Sequence, residues 1–297
     1  MIALLPIALL MQIGPDIHTY NQTPLPVITQ QRRDAAKTNA PPLPVDPLSE
    51  CMARARSDPA AGLTYARDWL SRAATPEARA RADQCLGLIQ SDQGDYAGAQ
   101  GAFADAVAAI PVAQIASAVP LMAMAGNAAL ASGDPVHALG WFDRALAVKD
   151  YDDAPARGAI EADRARALVA QSRTAEAVTA LAEARRLAPG DAGVFLLSAT
   201  LARRGRDLAG AQGFIETAAA IDPLDPAIGL EAGVIAELAG HEAAARKSWN
   251  SVIVTAPDSA EAGTARGYLS QLGPESGVPS AAPLDPPAGR PTSDPTP

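Results

Sequence analysis

Between residues 46 and 272, apolar side chains recur at helical spacing, and short polar turns and prolines cut the pattern at regular points. Residues 80–113 show this most clearly. Leu86 and Gly87 fall in a first predicted helix, Gly94-Asp95-Tyr96 make a turn, Ala99, Phe103 and Ala106 line a second helix, and Pro111 closes the unit. Apolar positions three and four apart share one helix face, which has to be buried against another element. The pattern returns in 119–152 (Gly126, Gly133-Asp134-Pro135, Ala138, Phe142, Ala145) and in 158–191 (Ala165, Leu168, Ala177, Leu181, Ala184, Pro189). It continues in 192–225 (Phe195, Ala199, Ala211, Ile215, Ala218, Pro223) and in 226–259 (Gly233, Gly240, Ala245, Trp249, Pro257). Pro189, Pro223 and Pro257 stand 34 residues apart, and so do Ala177, Ala211 and Ala245. A fixed period of this length marks stacked supersecondary units rather than one closed globule.

The earlier junctions carry about five extra residues each, as between Pro111 and Ala118, and these are expected to lengthen the loops. Residues 46–74 form a degenerate first helix pair: Ser57-Asp58-Pro59 aligns with Gly133-Asp134-Pro135, and Tyr65-Ala66 with Trp141-Phe142. Residues 259–272 make a last amphipathic helix, the polar-faced cap that an open stack of repeats needs. Small residues such as Gly87 and Ala99 allow two antiparallel helices to approach closely. Phe103 is then the plug between one pair and the next, while Gly94 permits the turn and Pro111 stops the second helix.

Leu86-Gly87, Ala99-x3-Phe103 and Pro111 together resemble the tetratricopeptide repeat, although Asp83 stands where that repeat has its leading aromatic and Gln90 replaces its tyrosine. The resemblance implies an all-α, right-handed superhelical solenoid of antiparallel helix pairs, about thirteen helices long, with first helices lining the concave side. It also implies a non-enzymatic scaffold that binds a peptide or protein partner in that groove. Counting inward positions on the first helices places Arg81, Gln84, Asn127, Arg166, Arg203 and Arg204 along or near the concave face, where such donors could hold a peptide backbone or its carboxylates. Some relatives clamp a C-terminal carboxylate with Lys and Asn. This chain lacks that lysine set, and solvated arginines on a helix face are the plainer alternative. Cys51 and Cys85, the two cysteines of the chain, fall in first helices of adjacent units. They would form a disulfide if the chain is exported, and stay as two buried thiols otherwise.

Composition narrows the partner rather than the fold. The chain has 297 residues, 48% of them hydrophobic but only 4% aromatic, so alanine supplies most of the apolar surface. The net charge of -9 argues against a nucleic-acid partner, which needs a basic face. Residues 1–13 are apolar apart from Gln12 and fit the core of a secretory signal, being too short to span a bilayer. Against that, the first basic residue is Arg32 and no clean cleavage site follows. Periplasmic or exported placement is the leading expectation, with possible membrane proximity through this segment; a retained anchor or a cytoplasmic apolar tail are the alternatives. Residues 14–45 are a proline-rich tether, and the proline-rich tail 273–297 is expected to be disordered.

No histidine pair has metal spacing, and no HExxH, CxxC or phosphate loop occurs, so no metal, cofactor or catalytic residue is expected. The second reading is an accessory subunit of a cell-envelope assembly, secretion or cytochrome-maturation complex. An enzyme, the third, would need a site built between loops.

Overall fold

The computed structural model describes residues 46–272. The N-terminal segment and tether (1–45) and the tail 273–297 lie outside the described residues. Contacts divide the chain after Glu50, and the array lies in the second part, Cys51–Pro297. The described residues hold thirteen α-helices and no strand. These are α1 (Pro47–Ser57), α2 (Pro59–Arg72), α3 (Pro76–Asp92), α4 (Tyr96–Ala109), α5 (Val119–Ala131), α6 (Pro135–Ala147) and α7 (Ala154–Ala170). They continue as α8 (Thr174–Leu187), α9 (Ala192–Arg204), α10 (Leu208–Ile221), α11 (Pro226–Leu238), α12 (Glu242–Thr255) and α13 (Ala260–Leu272). From α3 onward each odd-numbered helix pairs with the even-numbered helix after it, and that helix packs on the next odd one. The result is a right-handed solenoid.

The turn inside each pair shows how local sequence sets the fold. Gly94, Gly133, Ser172, Arg206 and Gly240 all take positive φ, between 62° and 85°. After each of them the next residue returns its N–H to a carbonyl five residues back, as Asp95 does to Gln90 (2.8 Å) and Asp207 to Ala202 (3.0 Å). That is a Schellman closure, which satisfies carbonyls at the helix end. Three of those next residues, Asp95, Asp134 and Asp207, then cap the second helix by accepting from the backbone N–H of its third residue. A two-residue segment thus ends one helix and starts the next.

Close packing inside a pair follows from small residues. Ala99, Ala138, Ala177, Ala211 and Ala245 occupy one position in successive second helices, and each is fully buried. Four residues further on stand Phe103, Phe142, Leu181, Ile215 and Trp249, all buried. Gly87 and Gly126 receive the aromatic rings: a Cβ there would come within 2.7 Å of Phe103 or 2.5 Å of Phe142. Gly233 plays the same part for Trp249, whose indole N–H donates to the Leu230 carbonyl at 3.2 Å.

The first insertion is not the loop expected from the sequence. Val112–Ala118 form a 3-10 helix that runs into α5 with a bend at Gln114 (φ -117°, ψ 18°). Ile115, Ala118 and Val119 explain it, because their helical spacing turns all three toward the core, and Ala118 and Val119 are fully buried. The second insertion is shared between a connection and a helix. Tyr151 in the connection packs against the core, Asp153 caps α7, and α7 is 17 residues long where α5, α9 and α11 have 13. Val112–Ala131, the stretch of the described residues long and apolar enough to cross a membrane, is this 3-10 helix and α5, which packs into the core.

The core runs continuously from Ala80 to Leu201 and passes to smaller clusters beyond. The α8–α9 junction is narrower than its neighbours. Arg185 spans it: its Nη1 donates to Ser198 Oγ at 2.6 Å, and its guanidinium lies 4.4 Å over the Phe214 ring on α10. Burial lowers the affinity of this arginine for its proton, and the ring face compensates part of that cost.

Candidate functional site

Each odd-numbered helix from α3 to α11 carries a half-buried apolar side chain, Leu88, Leu130, Val169, Leu196 and Val234 in turn, and Leu238 at the end of α11 is 55% exposed. Two polar bridges join neighbouring odd-numbered helices beside this apolar row.

The first bridge centres on Asp163 of α7, which is buried. Asn127 Nδ2 on α5 donates to Asp163 Oδ2 at 2.9 Å, and Arg166 Nη1, one helical turn on, donates to Asp163 Oδ1. Burial raises the Asp163 carboxyl above its ordinary range, while Arg166 and the two hydrogen bonds pull it back. The Arg166 Nε is buried with no partner among the described residues, while about a quarter of the side chain, 26%, stays exposed.

The second bridge is bidentate. Arg203 Nε and Nη2 on α9 donate to the two carboxylate oxygens of Glu231 on α11, at 2.6 and 3.2 Å. Both side chains are about one-tenth exposed, 11% and 12%. A planar fork on a carboxylate, shielded from water, fixes the angle between two neighbouring odd helices as well as neutralising charge.

The six donors expected in the groove therefore divide. Asn127 and Arg166 are brought together by Asp163, and Arg203 is taken up by Glu231. Gln84 is half-buried on α3, while Arg81 on α3 and Arg204 at the end of α9 are exposed. Asp163 and Glu231, the acids that organise these donors, were missing from the expected set because scattered acids on helix faces read as solvating. A signal did exist: each lies one repeat along from a first-helix donor, at separations of 36 and 28 residues.

A buried carboxylate at the leading position of a repeat stands apart from the groove. Asp83 on α3 is 4% exposed. Burial pushes its carboxyl up to about 6, with Asp105 adding to the rise and Arg79 opposing it. The folded value lies above the ordinary value of 3.8, so the folded state holds this proton more tightly than the unfolded one. Stability associated with the group is therefore complete below about pH 4 and is lost as the pH rises through about 6. Asp83→Asn is expected to be more stable than the parent near pH 8, by on the order of 2 kcal/mol, with the gap closing toward pH 4. Urea midpoints of the two proteins across that range check it.

Cys51 on α1 and Cys85 on α3 are both fully buried, with Cα atoms 6.5 Å apart, and the structure joins their sulfurs. Among the described residues no three His, Cys, Asp or Glu side chains are grouped to hold a metal. His137 and His241 sit at the starts of α6 and α12, and His18 lies outside the described residues.

No family model and no curated protein matches the sequence. Solved structures do match in fold. PilW, a type IV pilus biogenesis factor, superposes with a TM-score of 0.61 at 18% identity, over 73% of this chain and 96% of that one. PilF of Pseudomonas aeruginosa gives 0.58 at 15% identity, over 82% and 98%. Cut9, in the Cut9–Hcn1 hetero-tetramer of the APC/C, gives 0.59 at 11% identity, over 82% of this chain and 45% of that one. The chain has the tetratricopeptide-repeat fold. At these identities the likeness extends to the fold alone, and the repeat array is what the matched structures share with it.

Proposed function

We propose that this tetratricopeptide-repeat chain is a non-enzymatic scaffold that holds a peptide or protein segment along its odd-numbered helices. The observation that carries this reading is the half-buried apolar side chain on each odd-numbered helix from α3 to α11, with the partly exposed Arg166 guanidinium among them. A partner segment would lay apolar side chains along Leu130, Val169 and Leu196 and offer a carbonyl or carboxylate to Arg166. The bridges of Asp163 and Glu231 hold neighbouring odd helices at fixed spacing, so the row is preorganised and little ordering cost falls on binding.

The second reading, an accessory subunit of a cell-envelope assembly, draws on the pilus-biogenesis factor that shares the fold over nearly its full length. It fits export, as does a disulfide between Cys51 and Cys85, since such bonds persist in oxidising compartments. Within that reading residues 1–13 direct export, 14–45 act as a tether and 46–272 form the interacting body.

Cross-linking in cells, with mass spectrometry of the captured proteins, tests the groove. Val169→Glu places a charge in the apolar row, and Val178→Glu places one on the exposed face of α8 as control. Val169→Glu is expected to lower capture of a given partner at least tenfold, with Val178→Glu near the parent. Equal loss from both variants, or no partner captured, overturns the groove reading.

A further inference from the structure

A cavity of about 500 Å³ opens between α2, α3 and α4, lined by Leu70, Arg79, Asp83, Asp105, Ala108 and Ala109. It occurs at the repeat position where the family resemblance calls for a large aromatic and this chain has Asp83. Asp83 lines it with a side chain smaller than such a ring.

The lining is chemically uneven. Leu70, Ala108 and Ala109 provide apolar walls from α2 and α4, and two carboxylates, Asp83 and Asp105, stand against one guanidinium, Arg79. One negative charge is therefore left over. Asp83 is more than nine-tenths buried, faces this cavity and receives no hydrogen bond among the described residues. Its oxygens are not sealed off, so they face the cavity where a donor can reach them. An open cavity with apolar walls and an excess carboxylate suits a group that has a hydrocarbon stem and a cationic end.

We propose that this cavity is a binding site for the cationic side chain of a partner polypeptide, lysine or arginine, with its stem along Leu70, Ala108 and Ala109 and its charge on Asp83 and Asp105. The site is separate from the groove along the odd helices and does not depend on what that groove binds. It assigns a reason to Asp83: the carboxylate costs stability in the empty protein and is repaired when a donor enters.

Amide chemical shifts of the full chain provide the test, with N-acetyl-lysine amide and N-acetyl-arginine amide as probes, N-acetyl-norleucine amide as the uncharged control and putrescine as the free amine. One or both blocked cationic residues should give saturable shifts at residues 79–83 and 105–109. Norleucine should not, and Asp83→Asn should weaken the response at least tenfold. Asp105→Asn, a change at an exposed position that leaves packing alone, should also weaken it, and serves if Asp83→Asn alters the fold. No saturable shift up to about 20 mM, where even millimolar affinity would register, overturns the proposal. So does a response to putrescine alone, which would make the site one for free amines, or an equal response to norleucine, which would make it merely apolar.

Discussion

Reducing the bond between Cys51 and Cys85 is expected to loosen the first helix pair by on the order of 2–4 kcal/mol while leaving the later repeats intact. The argument rests on how little else holds that pair. α1 buries Cys51 and α2 buries only Gly62 and Ala66, whereas α4 buries five residues including Phe103 and Val107. A pair with so thin a core depends on the restriction of its unfolded chain. A cross-link closing 34 residues removes an appreciable part of that freedom. Because each repeat contacts chiefly its neighbours, the loss should remain local. Hydrogen exchange with and without a thiol reductant measures it: amides of residues 51–72 should exchange faster in the reduced protein, and those of α5 to α12 should not change. A Cys51→Ser/Cys85→Ser protein should resemble the reduced form and ignore reductant. Unchanged protection of residues 51–72 after reduction would show that packing alone holds the pair.

The repeat itself was legible because its determinants are single residues with strong steric meaning. Gly87 with Phe103 and Gly126 with Phe142 state where two helices touch, and the buried alanine column sets the spacing of the second helices. Two turns were harder to read. Ser172 and Arg206 occupy the positive-φ position that glycine fills at 94, 133 and 240, at a backbone cost that the Schellman hydrogen bonds offset. Val112–Ala118 misled for another reason. Its apolar residues at helical spacing lie between a proline and the next repeat, a context that suggests a loop. Burial of Ala118 and Val119 decides otherwise.

The groove was legible only in part. Arginine and asparagine on the inner face of a first helix can be placed by counting. Whether they point to a ligand or to each other depends on the acid one repeat away. That is a question of superhelical geometry, and a linear pattern does not contain it. Asp163 and Glu231 convert Asn127 and Arg203 from free donors into cross-helix ties, and Asp163 engages Arg166 within its own helix. Asp83 is the reverse case. Its position was read as a departure from the repeat, and its burial beside a cavity turns a missing aromatic into a candidate site.

Asp163→Ala is expected to destabilise the protein by about 3–5 kcal/mol, the range for removing one partner of a buried, hydrogen-bonded charge pair. The loss does not measure the strength of the bridge. It comes from what remains: an Arg166 guanidinium only partly exposed and without its carboxylate, and an Asn127 amide with no acceptor. Asp163→Asn keeps an acceptor for Asn127 while removing the charge, so it should cost less. Adding Arg166→Met to Asp163→Ala should recover most of the loss, because an apolar replacement of the pair leaves no orphaned charge. Urea midpoints of the parent, the two single variants and the double variant form the cycle that measures this coupling. The same double variant separates structure from binding. If Arg166 also serves a partner, the Asp163→Ala/Arg166→Met protein will regain its stability yet fail to capture that partner. If its stability and its capture return together, Arg166 serves only to neutralise Asp163 and the groove binds through its apolar row alone.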